Sequence, residues 1–311
     1  MTDASIVPTS ERGWMRAVGL LAVVFSFSVL RPAVLLAVPM LLLLLLRRHR
    51  GGAIFAVAVL ATLVLIAGGR DGVWFAERAW SLVVAGGFVA LTLSVPEWRW
   101  SSRAIASVLA AFVIGAVYFL VRGGAWGALD WTISSGVMVS VTTTLDALAL
   151  LRDGQPMSPT FVATMYEMAE AQASVFPALL GIASMAALGV AWWVTGRLAG
   201  AVDQGIGPAA SFRFNDHLVW IMIGGLVLVV ARWGDAVSRI GANAVVFMGA
   251  LYALRGAGVV MFLSGGLSVA AYVLLALGLL LAAPAVLGAA ILIGIGDTWL
   301  DIRSRTSGPA A

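Results

Sequence analysis

The chain has 311 residues, 61% of them hydrophobic and 11% charged, with a net charge of +4 and a mean hydropathy of +1.02. A soluble domain is about a quarter charged, so this composition excludes a water-soluble globule, and lipid must cover much of the apolar surface. The absence of cysteine removes disulfides and thiolate chemistry, and arginines scattered through short loops give no nucleic-acid footprint.

A spanning helix needs about 20 apolar residues. The first apolar stretch, Ala17 to Leu46, is too long for one span and is broken at Arg31-Pro32. Proline disfavours helix at the residue before it, so a hairpin is expected, Ala17–Leu30 then Ala33–Leu46, kinked at Pro39. This first run is expected to remain as a helix rather than to be cleaved as a leader. The basic cluster Arg47 to Arg50 stops it, and spans are predicted at Gly52–Gly69, Trp80–Val95 and Ala104–Val121. Trp131–Leu151 is apolar enough to cross, although it carries Ser140, Thr142, Thr143, Thr144 and Asp146. Ser158-Pro159 supplies an N-cap and a first-turn proline for a helix over about 158–176. The polar residues Tyr166, Glu167, Glu170 and Gln172 place that helix at the membrane surface. The remaining predicted spans are Pro177–Trp193, Leu218–Ala231, Ala244–Leu263 and Ser268–Ile295.

The positive-inside rule counts arginine in short loops and sets the expected orientation. With the N-terminus inside, a hairpin at Arg31 and Trp131–Leu151 as a true span, Arg12, Arg16, Arg47, Arg48, Arg50, Arg99, Arg103, Arg152, Arg232, Arg239, Arg303 and Arg305 fall in the cytoplasm. Arg70, Arg78, Arg122, Arg197 and Arg213 fall outside. The expected fold is all-α, a polytopic bundle of about 8–10 membrane segments in the inner (cytoplasmic) membrane, both termini cytoplasmic. Residues 17–296 form one transmembrane domain between tails 1–16 and 297–311. The tryptophans cluster near span ends, as an aromatic belt does.

Arg255 is the most informative single residue. An arginine this deep in a span is costly unless it meets a partner or a water-filled cavity. Two readings follow: a ligand-facing arginine, with Tyr252 and Asn243 on the same element as candidate substrate-binding residues, or an arginine satisfied structurally, by an ion pair with an acid on another helix or by snorkelling to an interface. Glu167 and Glu170, spaced i, i+3, and Asp146 are candidates for an ion or proton site; the alternative is a wet helix face. Asp297, Asp301 and Arg303 are candidates for cytoplasmic docking of a partner, or else a salt-bridged helix end. There is no Walker A motif, no GxGxxG after a strand and no HExxH. No catalytic residue, metal or cofactor is expected, and the chain is not read as an enzyme.

Several short pieces in the C-terminal half carry a family resemblance. They are Phe176-Pro177 with Trp192-Trp193 and Arg197, then Phe212-Arg213-Phe214-Asn215-Asp216 with Trp220. Leu251-Tyr252 with Arg255-Gly256 follows, and last Gly294 to Arg303. In these the chain resembles the YybS-like predicted bacterial membrane proteins, a family of unknown function. That family is distantly similar to the substrate-binding S components of energy-coupling-factor transporters. The resemblance implies a small molecule held in the helix bundle and docking onto a separate coupling subunit. S components carry small residues four apart on their first helix for docking, whereas here Ala17 is followed by Leu21 and Gly19 by Val23. The expected function is binding or transport of a small molecule in the bilayer. The alternative is a structural or assembly subunit of a larger membrane complex, with no ligand of its own.

Overall fold

The computed structural model describes residues 9–46, 72–152, 157–198, 207–266 and 268–306, with position 155 and scattered positions between 55 and 64. The predicted span Gly52–Gly69 falls largely outside the described residues. The described elements are helices throughout, with no strand among them. They are α1 Thr9–Phe27, α2 Pro32–Leu46, α3 Gly72–Ser94, α4 Trp100–Val121 and α5 Ala125–Leu151. Then come α6 Pro159–Ser174, α7 Phe176–Leu198, α8 Val219–Ala231, α9 Asp235–Leu263, α10 Val269–Leu300 and α11 Ile302–Thr306. Among the described residues, six helices are long and apolar enough to cross a membrane: α3, α4, α5, α7, α9 and α10. The hairpin break at Pro32 is present, and Ser158 caps α6 by accepting a hydrogen bond from the Phe161 amide.

α7 is the axis of the bundle, with 83% of its apolar window buried. Its alanines and glycines let α1, α2, α3, α4 and α9 pack against it closely. The core joins Phe88 of α3, Val108 of α4, Leu188 and Trp192 of α7, and Phe247 and Tyr252 of α9. Trp80 donates its indole N–H to Ser184 Oγ at 2.9 Å, which fixes α3 against α7 in register. α5 and α10 lie at the periphery, with 11% and none of their apolar windows buried, so their surfaces meet lipid or a partner.

The bundle has two distinguishable ends. At one, Arg16 of α1 donates to the Gly207 carbonyl, Arg99 before α4 to Ser211, and Arg303 of α11 to Ala210. The start of α1 and the end of α11 therefore share an end. At the other, the Arg31 amide before α2 donates to Glu77 of α3, and Arg239 of α9 binds Asp130 of α5.

This arrangement corrects the expected distribution of arginines. Arg232 and Arg239 lie at the end opposite Arg16 and Arg303, while Arg197 and Arg213 lie with them. Two reversals are responsible. α6 runs back along α5, so Ser174 and Asp130 meet the same Arg239, and the pair returns the chain to the end it left. The stretch predicted as one span, Ser268–Ile295, is broken at Ala282, whose φ of −144° is non-helical, two residues before Pro284. A Cβ on Gly278 would touch Val286, yet eight residues of straight helix span about 12 Å, so the two arms fold back on each other. The second arm then runs parallel to α9: Gly249 faces Ile291, Gly256 faces Gly294 and Gly258 faces Arg303.

The crossing of α9 and α10 depends on two glycines. A Cβ at Gly256 would collide with the Ala290 carbonyl oxygen, and one at Gly294 with that of Tyr252. Only backbone fits there. Gly256→Ala and Gly294→Ala should each destabilise the protein by about 1–3 kcal/mol or more, as overpacking does. Gly288→Ala and Gly296→Ala, which meet open space, should be neutral in the same detergent melting experiment.

Candidate functional site

Arg255 is the twenty-first residue of α9 and is 2% exposed. Its Nε donates to Asp297 Oδ2 at 2.9 Å, Nη1 to Asp216 Oδ1 at 2.5 Å and Nη2 to the Asp297 carbonyl at 3.2 Å. Asp297 is itself buried and also receives Arg303 Nη2 on Oδ2 at 2.7 Å. One carboxylate between two guanidiniums satisfies charges that could not be left alone in such surroundings. Of the two readings open for Arg255, the geometry is the interhelical ion pair. Asp216, whose side chain is 59% exposed, is the member nearest solvent.

The same network straps down the segment between α7 and α8. Arg303 Nη1 donates to the carbonyls of Ala210 and Phe212, at 2.8 and 3.1 Å. Ser101 donates to the Arg213 carbonyl, and Arg213 pairs with Asp301 at 2.7 Å. Phe214 then turns inward, its ring 5.2 Å from that of Tyr252 and 5.5 Å from the Arg255 guanidinium carbon. These contacts explain the run Phe212-Arg213-Phe214-Asn215-Asp216: its aromatics seal the core and its charges meet α9 and α11. Asp301 adopts φ 42°, a left-handed cap that an aspartate tolerates, and it turns the chain into α11. Hydrogen bonding by Ser304 and then Arg213 holds its carboxyl below the usual carboxylate range.

The candidate residues thus divide differently from their sequence grouping. Tyr252 is fully buried beside Arg255, but Asn243 is twelve residues away, about 18 Å along α9. There Asn243 accepts from the Ala178 amide at 2.9 Å and donates to the Ser174 carbonyl at 3.0 Å. Those are free groups at the end of α6 and the start of α7, so Asn243 pins that junction. Arg239 supports it, bonding Asp130 with both terminal nitrogens and the carbonyls of Ala173 and Ser174. Asp297 and Arg303 are buried inside the Arg255 network, and only Asp301 of the three docking candidates is exposed. Glu167, Glu170 and Asp146 are all exposed on α6 and α5. No cluster of three metal-ligating side chains occurs among the described residues.

Three acids of these networks carry no signal in the sequence: Asp130, Asp216 and Glu77. Asp216 lies in a connecting segment with no spacing that links it to position 255. Glu77 is 3% exposed on α3, where Oε1 accepts the Arg31 amide at 3.1 Å and Arg78 stands 3.8 Å from Oε2. The predicted span began at Trp80, but the helix begins at Gly72, and those roughly two extra turns carry Glu77 into the bundle.

These features define a class: a multi-pass, all-helical membrane protein whose charged residues are folded into the bundle rather than into a soluble domain. The chain belongs to the family described as predicted membrane protein DUF2232, whose model matches residues 16–298. No curated protein and no solved structure matches it.

Removing Asp297 strands two buried arginines. Asp297→Asn should therefore cost about 3–5 kcal/mol of stability, whereas Asp216→Asn, at the wet edge, should cost about 1 kcal/mol or less. Thermal unfolding in detergent ranks the two; equal losses would refute the assignment of Asp297 as the hub.

Proposed function

We propose that this protein binds a small molecule within its helix bundle and acts in the manner of a transporter's substrate-binding subunit. The supporting observation is that the bundle encloses ionisable side chains, Glu77 towards one end and Arg103 towards the other. Burying charge among membrane helices is expensive, and such residues mark solute and ion pathways. The end that carries the start of α1 and α11 is the cytoplasmic one in this reading. It holds Arg12, Arg16, Arg99, Arg103, Arg152, Arg197, Arg213, Arg255, Arg303 and Arg305 against Arg31, Arg78, Arg122, Arg232 and Arg239 at the other, among the described residues. The protein resides in the inner membrane, and a separate coupling subunit supplies energy.

The unpartnered apolar faces of α5 and α10 favour a second reading, a structural or assembly subunit of a larger membrane complex. Native mass spectrometry of the protein released from mild detergent separates the two. Binding predicts a reproducible bound mass of small-molecule size; an empty protein that retains a defined membrane-protein partner supports assembly instead.

A further inference from the structure

Every other arginine buried in the described bundle has an acid beside it. Arg78 has Glu77, while Arg255 and Arg303 share Asp297. Arg103, the fourth residue of α4 and 6% exposed, is the exception. Its guanidinium carbon stands 4.9 Å from the Trp192 ring centroid and 5.8 Å from that of Phe88, two rings set edge to face. Among the described residues it makes no ion pair, and its Nε is buried without a hydrogen-bond partner. Aromatic faces stabilise the charge, but they leave the in-plane N–H donors unmet.

A second donor lies beside it. Trp100 is one turn earlier on the same face of α4, and its indole N–H is also buried and unpartnered. Its ring packs over Gly189, one turn before Trp192 on α7. Two unmet donors, one of them cationic, therefore stand one turn apart on α4, where it packs against α7. Their chemistry calls for an acceptor that carries negative charge, and the described residues supply none.

We propose that Arg103 and Trp100 form an anion subsite, taking the carboxylate or phosphate of a bound molecule. The planar guanidinium fork suits a two-oxygen acceptor, and the indole N–H adds a third hydrogen bond. This deepens the binding function proposed above and rests on it. The anion belongs either to a free solute or to a lipid headgroup, which share this chemistry.

The test is thermal unfolding of the full chain in detergent, titrated at constant ionic strength with acetate, inorganic phosphate or phosphatidylglycerol, against phosphatidylcholine. One of these anions should raise the melting temperature saturably. Its midpoint should rise about tenfold or more in Arg103→Gln and about threefold in Trp100→Phe, which keeps the ring packing. Arg305→Gln, an exposed arginine at the same end, should leave it unchanged. If Arg103→Gln does not fold, the Trp100→Phe midpoint decides. A response to phosphatidylglycerol alone assigns a headgroup, and one to acetate or phosphate assigns a solute. Midpoints identical in wild type and both variants overturn the subsite. If native mass spectrometry still finds a bound small molecule, the binding function survives that failure; if it finds none, both fall together.

Discussion

The structure depends on the cost of placing charge where water is scarce. Asp297 is the clearest case. It receives Arg255 from α9 and Arg303 from α11, and through them it fixes the close crossing of α9 with α10 and the segment that joins α7 to α8. None of these groups is stable alone in the bundle, so they hold one another, and the helices that carry them follow. The glycines at 256 and 294 serve the same contact by bringing the two backbones together. At the far end, Arg239 and Asn243 join α5, α6, α7 and α9 with bonds of the same kind. The bundle is pinned at both ends by arginine and filled between them by apolar residues around α7.

Much of the helix pattern was legible in the sequence, because apolar runs of membrane length have few other readings. The break at Arg31-Pro32, the Ser158 cap of α6 and the spans ending at Val121, Ala231 and Leu263 follow from local chemistry. Connectivity across the membrane was less legible. Two stretches that read as single crossings proved to belong to reversals: α5 is followed back by α6, and the long run after Ser268 folds back on itself at Ala282. Hydropathy counts apolar residues and does not register a fold in the middle of them. Pro284 was the available signal, but a proline inside a membrane helix more often kinks it than folds it over.

The site residues show the same division. Arg255 stood out because it lies within an apolar run, and the alternative of an acid on another helix was the one realised. Which acid could not be read, since positions 216, 255 and 297 come together only through tertiary structure. Arg103 drew no attention as one more arginine near a span end. Its distinction is what surrounds it among the described residues, two aromatic rings and no carboxylate. The two arginines thus exchange the roles that sequence suggests. The conspicuous one is held by partners from its own chain, and the inconspicuous one carries donors that the described residues leave unmet.

The most direct measurement of the central claim is hydrogen–deuterium exchange of the detergent-solubilised protein, wild type against Asp297→Asn. The hub predicts faster exchange in 207–218 and 297–306, which Asp297 holds through Arg255 and Arg303, with α7 as protected as before. Unchanged exchange in those two segments would contradict it, and would mean that packing alone holds this end of the bundle.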